Sequence, residues 1–194
     1  GMQAAIAEKG LMVLDCVALG KSGHAARGEG INAIYEALPD IEWFRTYQFP
    51  QVSDLLGEVK MTVTGISAGT LHNVVPAECK FMVDIRVNEY YSNQEIFETI
   101  RKNVKCEVCP RSFSLNSSSI PIDHPIVKRC RELGLQTYGS PTTSNQAVIP
   151  YTSLKIGPGD SARSHTANEY IALDEIEEGI RIFVELLDGF QFKI

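Results

Sequence analysis

At 194 residues the chain is long enough for one good core or two small ones. Its 44% hydrophobic and 22% charged content is that of an ordinary globular protein, and a net charge of −6 argues against nucleic-acid binding, which needs a basic face. No apolar run approaches the ~20 residues of a membrane span.

The first residues, Gly1 to Ala5, show neither a basic nor an apolar leader segment, so no signal peptide is expected; Gly1 ahead of Met2 reads as a cloning remnant. Five cysteines at irregular spacing fit reduced thiols and a cytoplasmic location.

Leu11 to Leu19 is an apolar run between Gly10 and Gly20, and its length and β-branched content predict a strand. A helical pattern opens at Glu29-Gly30, with Ile31, Ile34, Tyr35 and Leu38 on one face and Pro39 as its expected end. Glu58 to Ile66 alternates through Val59, Met61 and Val63 as a half-buried strand. Ala77 to Val87 places Phe81, Val83, Ile85 and Val87 on one strand face. A helix follows with Asn93 or Ser92 as cap, Glu95 or Glu98 near its first turn, and a stripe of Ile96, Ile100 and Val104. Val104 to Leu115 reads as another strand.

The order from about residue 10 to 116 is therefore β-α-β-β-α-β, the ferredoxin-like pattern of a four-stranded antiparallel sheet with two helices on one face. The polar stretch Asn116 to Ser119 reads as a linker and domain boundary. Beyond it come a helix from Pro125 to Leu133 stopped by Gly134, a short strand from Tyr151 to Ile156, and a helix from Asp174 to Leu187 with Ile176, Ile180, Phe183 and Leu187 inward. That is thin for a core, and it reads as the tail of a larger α/β domain. The fold class is α+β, with a lid at 10–116 and residues 1–9 and 117–194 forming part of a second domain.

Few residues could carry chemistry. His165 sits in a small-residue loop after an apolar segment, with Asp160, Asn168 and Glu169 near enough in sequence to orient an imidazole. One histidine cannot hold zinc, and a solvated loop histidine is the plain alternative. His24 projects from a Gly-Lys-Ser-Gly-His-Ala-Ala turn, as a donor to an oxyanion or as a surface residue. Asn73 enters a strand edge through Val74-Val75-Pro76 and reads as a turn asparagine or a ligand contact. Asp84 and Arg86 share a strand face, as a wet ion pair or as a site where Arg86 grips a carboxylate. The lone Cys106-x-x-Cys109 points its thiols to opposite faces of a strand and reads as neither redox nor metal motif. Thr142 to Asn145 is a polar pocket wall or a loop.

Four motifs in order, Gly-His-Ala-Ala, Asn-Val-Val-Pro-Ala-Glu, Asp-Ile-Arg and Gly-Pro-Gly followed by His-Thr-Ala-Asn-Glu-Tyr, resemble the M20 peptidases, within them the acetylornithine deacetylase and succinyl-diaminopimelate desuccinylase branch. The resemblance covers nearly the whole chain. It implies a zinc-peptidase-like catalytic domain with two metal ions, zinc or else cobalt, and an inserted lid that forms a homodimer. It implies hydrolysis of a small N-acyl amino acid by a metal-activated water and a glutamate base, in the setting of arginine biosynthesis.

By the same resemblance His165 matches the last metal ligand. His24 matches a lid histidine that reaches the partner subunit's site and polarises the scissile amide. Asn73 and Arg86 match substrate-binding lid positions, again across the dimer. Thr143 and Ser144 resemble a Thr-Ser-Asp substrate stretch, with Asn145 in place of the acid. The remaining metal ligands and the general base are absent from these residues, so the chain alone is expected to be inactive. A non-catalytic dimerisation or small-molecule-binding module, and a dipeptidase or aminoacylase of the same family, are the other readings.

Overall fold

Two ten-residue strands form the centre of the larger of two main sheets. The structure, a computed structural model, describes residues 1–191. In chain order its elements are β1 (Ala4–Glu8), β2 (Gly10–Leu19), β3 (Gly23–His24), α1 (Ala33–Thr46), β4 (Lys60–Ala68), β5 (Val74–Val75), β6 (Glu78–Val87), α2 (Asn93–Asn103), β7 (Glu107–Pro110), β8 (Ser118–Ser119), α3 (Pro125–Glu132), β9 (Thr137–Ser140) and α4 (Leu173–Leu187).

The larger sheet runs β4-β6-β2-β7, with every neighbour antiparallel. Met12, Leu14 and Cys16 of β2 and Phe81, Val83 and Ile85 of β6 turn one face inward, as the two-residue period demands. Ala33, Ala37 and Phe44 of α1 and Ile96 and Ile100 of α2 close that core. The order of strands and helices is ferredoxin-like, and the whole is a mixed α+β fold. The smaller sheet, β8-β1-β9, pairs β1 antiparallel with β8 and parallel with β9.

Several expected elements are corrected by the structure. Pro39 does not end α1, which continues to Thr46. Most of the expected apolar stripe faces solvent: Ile31, Tyr35 and Leu38 are exposed, Ile34 packs partly buried against the core, and Ala33, Ala37, Asp40 and Phe44 are buried. The alanines let the helix lie close on the sheet, and burial of Ala37 and Phe44 together with the hydrogen bonds that Asp40 accepts from Lys105 and Cys106 offsets the ~3 kcal/mol cost of the proline's missing hydrogen bond. In β4 a register shift between Val63 and Gly65 breaks the alternation and leaves Ile66 exposed.

The strand expected over Val104–Leu115 shrinks to Glu107–Pro110. Downstream the backbone is held by side chains: the Asn93 amide donates to the carbonyls of Leu11, Phe113 and Leu115 at 3.0–3.3 Å. The capping reading resolves to Ser92 and Glu95, which form a reciprocal capping box.

The expected Asn116–Ser119 linker is ordered, since Ser118–Ser119 pairs with β1 and the Asn116 side chain accepts from the Asn93 N–H at 2.8 Å. No strand forms over Tyr151–Ile156; a single antiparallel bridge joins Lys155 to Ala5. In α4 the buried residues are Gly179, Ile182 and Leu186, while the expected Ile176, Ile180 and Leu187 are exposed. Gly179 lies close against the loop: a Cβ there would be 3.1 Å from the Pro158 side chain, a tight contact.

The chain passes between the two sheets twice, at Lys9-Gly10 and at Asn116-Ser117, and these crossings lie side by side. The Leu11 N–H donates to the Leu115 carbonyl at 2.8 Å, and the Ser117 hydroxyl donates to the Glu8 carbonyl at 2.7 Å. Among the described residues no helix is long and apolar enough to cross a membrane.

Candidate functional site

The residues singled out by sequence fall into three places. The first is the tip of the larger sheet, away from the crossings. There β3 pairs with β5, setting His24 opposite Val74, and the Ala25 N–H donates to the Asn73 carbonyl at 3.1 Å. His24 and Asn73 are thus neighbours. The His24 Nδ1 accepts from the Ala26 N–H at 3.2 Å and caps a short 3₁₀ turn over Ala25–Arg27. An acceptor Nδ1 leaves the proton of the neutral ring on Nε2, and His24 is exposed. The loop that carries His24 folds back on itself through paired Lys21 and Ile31. A Cβ at Gly23 would lie 2.2 Å from the Glu29 carbonyl oxygen, so the glycine-rich sequence is what lets His24 stand where it does.

The second place is the opposite end of the sheet, at the crossings. Arg86 pairs with Leu11 and Lys60 across β6 and forms a bidentate pair with Asp84, Nε–Oδ1 2.7 Å and Nη2–Oδ2 3.0 Å. Both side chains are about 30% exposed, so the pair is accessible to a competing carboxylate. The ten residues of β6 span ~30 Å, so Arg86 and the His24–Asn73 tip stand far apart in one chain.

Thr143 and Ser144 also lie at the crossings, in the turn that follows β9. The Thr143 hydroxyl donates to the Lys9 carbonyl at 2.7 Å, and the Ser144 N–H and hydroxyl both donate to Glu8 Oε2, the former at 3.1 Å. Since β1 and β9 are parallel, this turn stands at the carboxyl ends of both strands, the usual place for ligands in α/β sheets. Beside it the Lys9 ammonium donates to the Glu58 carbonyl at 2.6 Å, and burial pulls its pKa below the ordinary lysine value.

The third place is the loop of His165. It follows the segment joined to β1, where Ala5 and Lys155 exchange backbone hydrogen bonds at 2.8 and 3.0 Å. Asp160 caps a 3₁₀ turn at Ser161–Arg163. Arg163 pairs with Glu175 at 2.6 Å and lies 4.6 Å over the Tyr170 ring; its hydrogen bond holds the Glu175 carboxyl below the usual range. His165 itself is exposed and has φ 62°, the one non-glycine residue with positive φ among those described. A histidine in the left-handed region is uncommon and persists where neighbours over-determine it. Its N–H donates to Glu169 Oε2 at 3.2 Å, so Glu169 braces the backbone rather than the imidazole.

A cleft of about 520 Å³ lies along this loop, lined by Gln3, Tyr138, Lys155, Arg163 and Glu169 among others. Among the described residues no group of three or more His, Cys, Asp and Glu side chains could hold a metal ion. His165 is a single candidate ligand, and by itself it cannot form a zinc site.

Cys106 is buried and Cys109 exposed, as their spacing on a strand requires. The Cys106 thiol is pushed far up by its hydrogen bond with Cys16 and by burial, so it stays protonated and inert. Sequence reasoning missed Glu8 and Lys155, which form an ion pair with Glu8 almost wholly buried. The available signal was a carboxylate closing the otherwise apolar run Ala4–Ala7.

Residues 6–108, more than half of the chain, match the family described as the M20 peptidase dimerisation domain. The chain belongs to the M20 peptidase family. It is 28% identical over 182 residues to a peptidase M20 domain-containing protein of Schizosaccharomyces pombe, covering 90% of this chain and 42% of that one. It is 26% identical over 202 residues to a LysW-lysine/LysW-ornithine hydrolase of Saccharolobus solfataricus, covering 96% and 55%. Its fold matches an M20 family metallo-carboxypeptidase from Sulfolobus solfataricus with a TM-score of 0.70 at 15% identity, over 96% of this chain and 59% of the other. This M20 chain spans about half the length of the relatives it matches.

Proposed function

We propose that the chain supplies the lid, residues 10–116, and the last part of the catalytic domain of a metal-dependent amidohydrolase that removes the acyl group from an N-acyl amino acid. The observation that carries this reading is His24, exposed beside Asn73, whose ring is oriented by the Ala26 N–H so that Nε2 carries the proton. Such a donor suits the oxyanion that develops as an amide is attacked. Arg86 and the Thr143–Ser144 turn are assigned to the substrate, Arg86 through its carboxylate and at the expense of Asp84. N-acetylornithine is the leading substrate. An ornithine amine half is supported by the relative named as a LysW-lysine/LysW-ornithine hydrolase.

His165 is assigned to a metal centre, zinc or cobalt, whose other ligands lie outside these residues. The purified 194-residue chain, given either metal and N-acetylornithine, should show no turnover, whereas the complete protein should hydrolyse it. Clear turnover by the chain alone contradicts the assignment of the missing ligands.

The ~30 Å between the tip and the crossings supports a site completed in trans, with His24 and Asn73 reaching a second subunit. The surface assigned to that homodimer is the outer face of α1, with Tyr35 68% and Leu38 53% exposed, next to the unpaired edge of β4. A nine-residue edge strand beside exposed apolar side chains is a template for pairing. Sedimentation of the chain should give twice its 21.4 kDa mass. The double variant Tyr35→Glu, Leu38→Lys should sediment as a folded monomer; an unchanged dimer would move the interface elsewhere.

A further inference from the structure

Among the described residues the Glu8 carboxylate is the most deeply buried charged group, with its side chain 2% exposed. One of its oxygens accepts from the N–H and the hydroxyl of Ser144, and the other pairs with the Lys155 ammonium. A buried charge is costly unless it is paired: Oε2 takes two hydrogen bonds from Ser144, while Oε1 has no hydrogen bond and is compensated by the nearby Lys155 ammonium alone. The two partners belong to different segments. Ser144 starts the 3₁₀ turn over Asn145–Val148, its hydroxyl accepting from the Gln146 N–H at 3.2 Å. Lys155 is bridged to Ala5 by a reciprocal pair of backbone hydrogen bonds at 2.8 and 3.0 Å, two residues ahead of the Gly157-Pro158-Gly159 entry to the His165 loop.

The hydrogen bonds have a chemical consequence. The Ser144 hydroxyl proton is directed at Glu8 and the Thr143 hydroxyl proton at the Lys9 carbonyl. Neither hydroxyl is left as a donor for a ligand. The turn therefore meets a substrate through its backbone and its lone pairs, in a position that Glu8 and Lys9 define.

We propose that Glu8 is a positioning residue of the hydrolytic site: it holds the Thr143–Ser144 turn in register and, through Lys155, couples that turn to the segment leading into the His165 loop. This rests on the assignment of Thr143 and Ser144 to the substrate. Glu8 touches no substrate, and its effect is on where the turn stands.

The test uses the complete enzyme with N-acetylornithine and compares Glu8→Gln, Lys155→Met, Ser144→Ala and Thr143→Val. Glu8→Gln should raise KM about tenfold with kcat little changed, the size expected for losing a charged hydrogen-bond acceptor. Lys155→Met leaves the buried Glu8 carboxylate without its cation and should raise KM about threefold, with thermal unfolding used to confirm that the variant is folded. The double variant Glu8→Gln, Ser144→Ala should be no worse than the more damaging single one, because both remove the same contact. A merely structural defect would lower kcat through loss of folded enzyme and leave KM alone. If Ser144→Ala or Thr143→Val raises KM while Glu8→Gln and Lys155→Met do not, the positioning role is overturned and the substrate assignment stands. If KM is unchanged in all four, the substrate assignment of the turn fails and the positioning role with it. A wild-type complete protein that hydrolyses no N-acyl amino acid overturns both.

Discussion

Replacing His24 with asparagine in the complete enzyme is expected to lower kcat by about 10²–10³ with KM little changed, the cost of removing one oxyanion donor. Asparagine is the informative replacement because His24 has two tasks. Its Nδ1 caps the Ala25–Arg27 turn, and asparagine keeps that cap while withdrawing the ring that carries Nε2. A variant within threefold of the wild-type kcat would remove His24 from the mechanism. The trans arrangement has its own signature. Subunits carrying His24→Asn and subunits carrying His165→Ala should each be inactive as homodimers. Mixed in equal amounts and allowed to exchange, half the dimers are mixed, and each mixed dimer holds one site with both histidines intact. Activity should return to about a quarter of wild type. No recovery would place His24 in its own subunit's site.

Asp40→Ala should destabilise the protein by about 3 kcal/mol and lower Tm by roughly 6–12 °C, given the usual slope for a chain of this length. Asp40 lies 4% exposed in the middle of α1, an unusual place for a carboxylate. It is there because its oxygens accept from the Lys105 N–H at 3.1 and 3.2 Å and from the Cys106 N–H at 2.8 Å, where the chain turns from α2 into β7. Alanine would strand the buried Cys106 donor and the part-buried Lys105 donor, whereas Asp40→Asn keeps an acceptor and should lose about 1 kcal/mol. Thermal unfolding of the three forms is sufficient. A Tm for Asp40→Ala within 2 °C of wild type would mean that α1 is held by its apolar contacts alone.

What could be read without a structure follows from periodicity. Along β6 apolar residues recur at every second position, β2 is an apolar run bounded by Gly10 and Gly20, and along α2 the Ser92-Glu95 box precedes Ile96 and Ile100. Local rules of this kind suffice for the order of elements and so for the ferredoxin-like arrangement. Composition misleads where an element is buried on both sides or has two apolar faces. Ala-Ala-Ile-Ala-Glu looks helical, yet β1 is a fully buried strand because β8 and β9 flank it. In α1 and α4 several large apolar residues, Tyr35 and Leu38 in one and Ile180 and Leu187 in the other, face out, while small residues, Ala33 and Ala37 in one and Gly179 in the other, share the buried face.

The site divides in the same way. The motifs around His24, Asn73 and His165 are contiguous stretches, and their residue types alone mark them as candidates. The Nδ1 hydrogen bond that orients His24, the left-handed backbone of His165, the occupation of Arg86 by Asp84 and the buried Glu8 between Ser144 and Lys155 involve the folded backbone or residues distant in sequence. The sequence by itself determined the long elements, such as β2, β6 and α2, because their patterns extend over about ten residues; the short strands β1, β8 and β9 carry no such pattern. Only the tertiary structure decided which helix faces turn inward and which polar groups meet, because burial and hydrogen bonding depend on what the fold brings alongside.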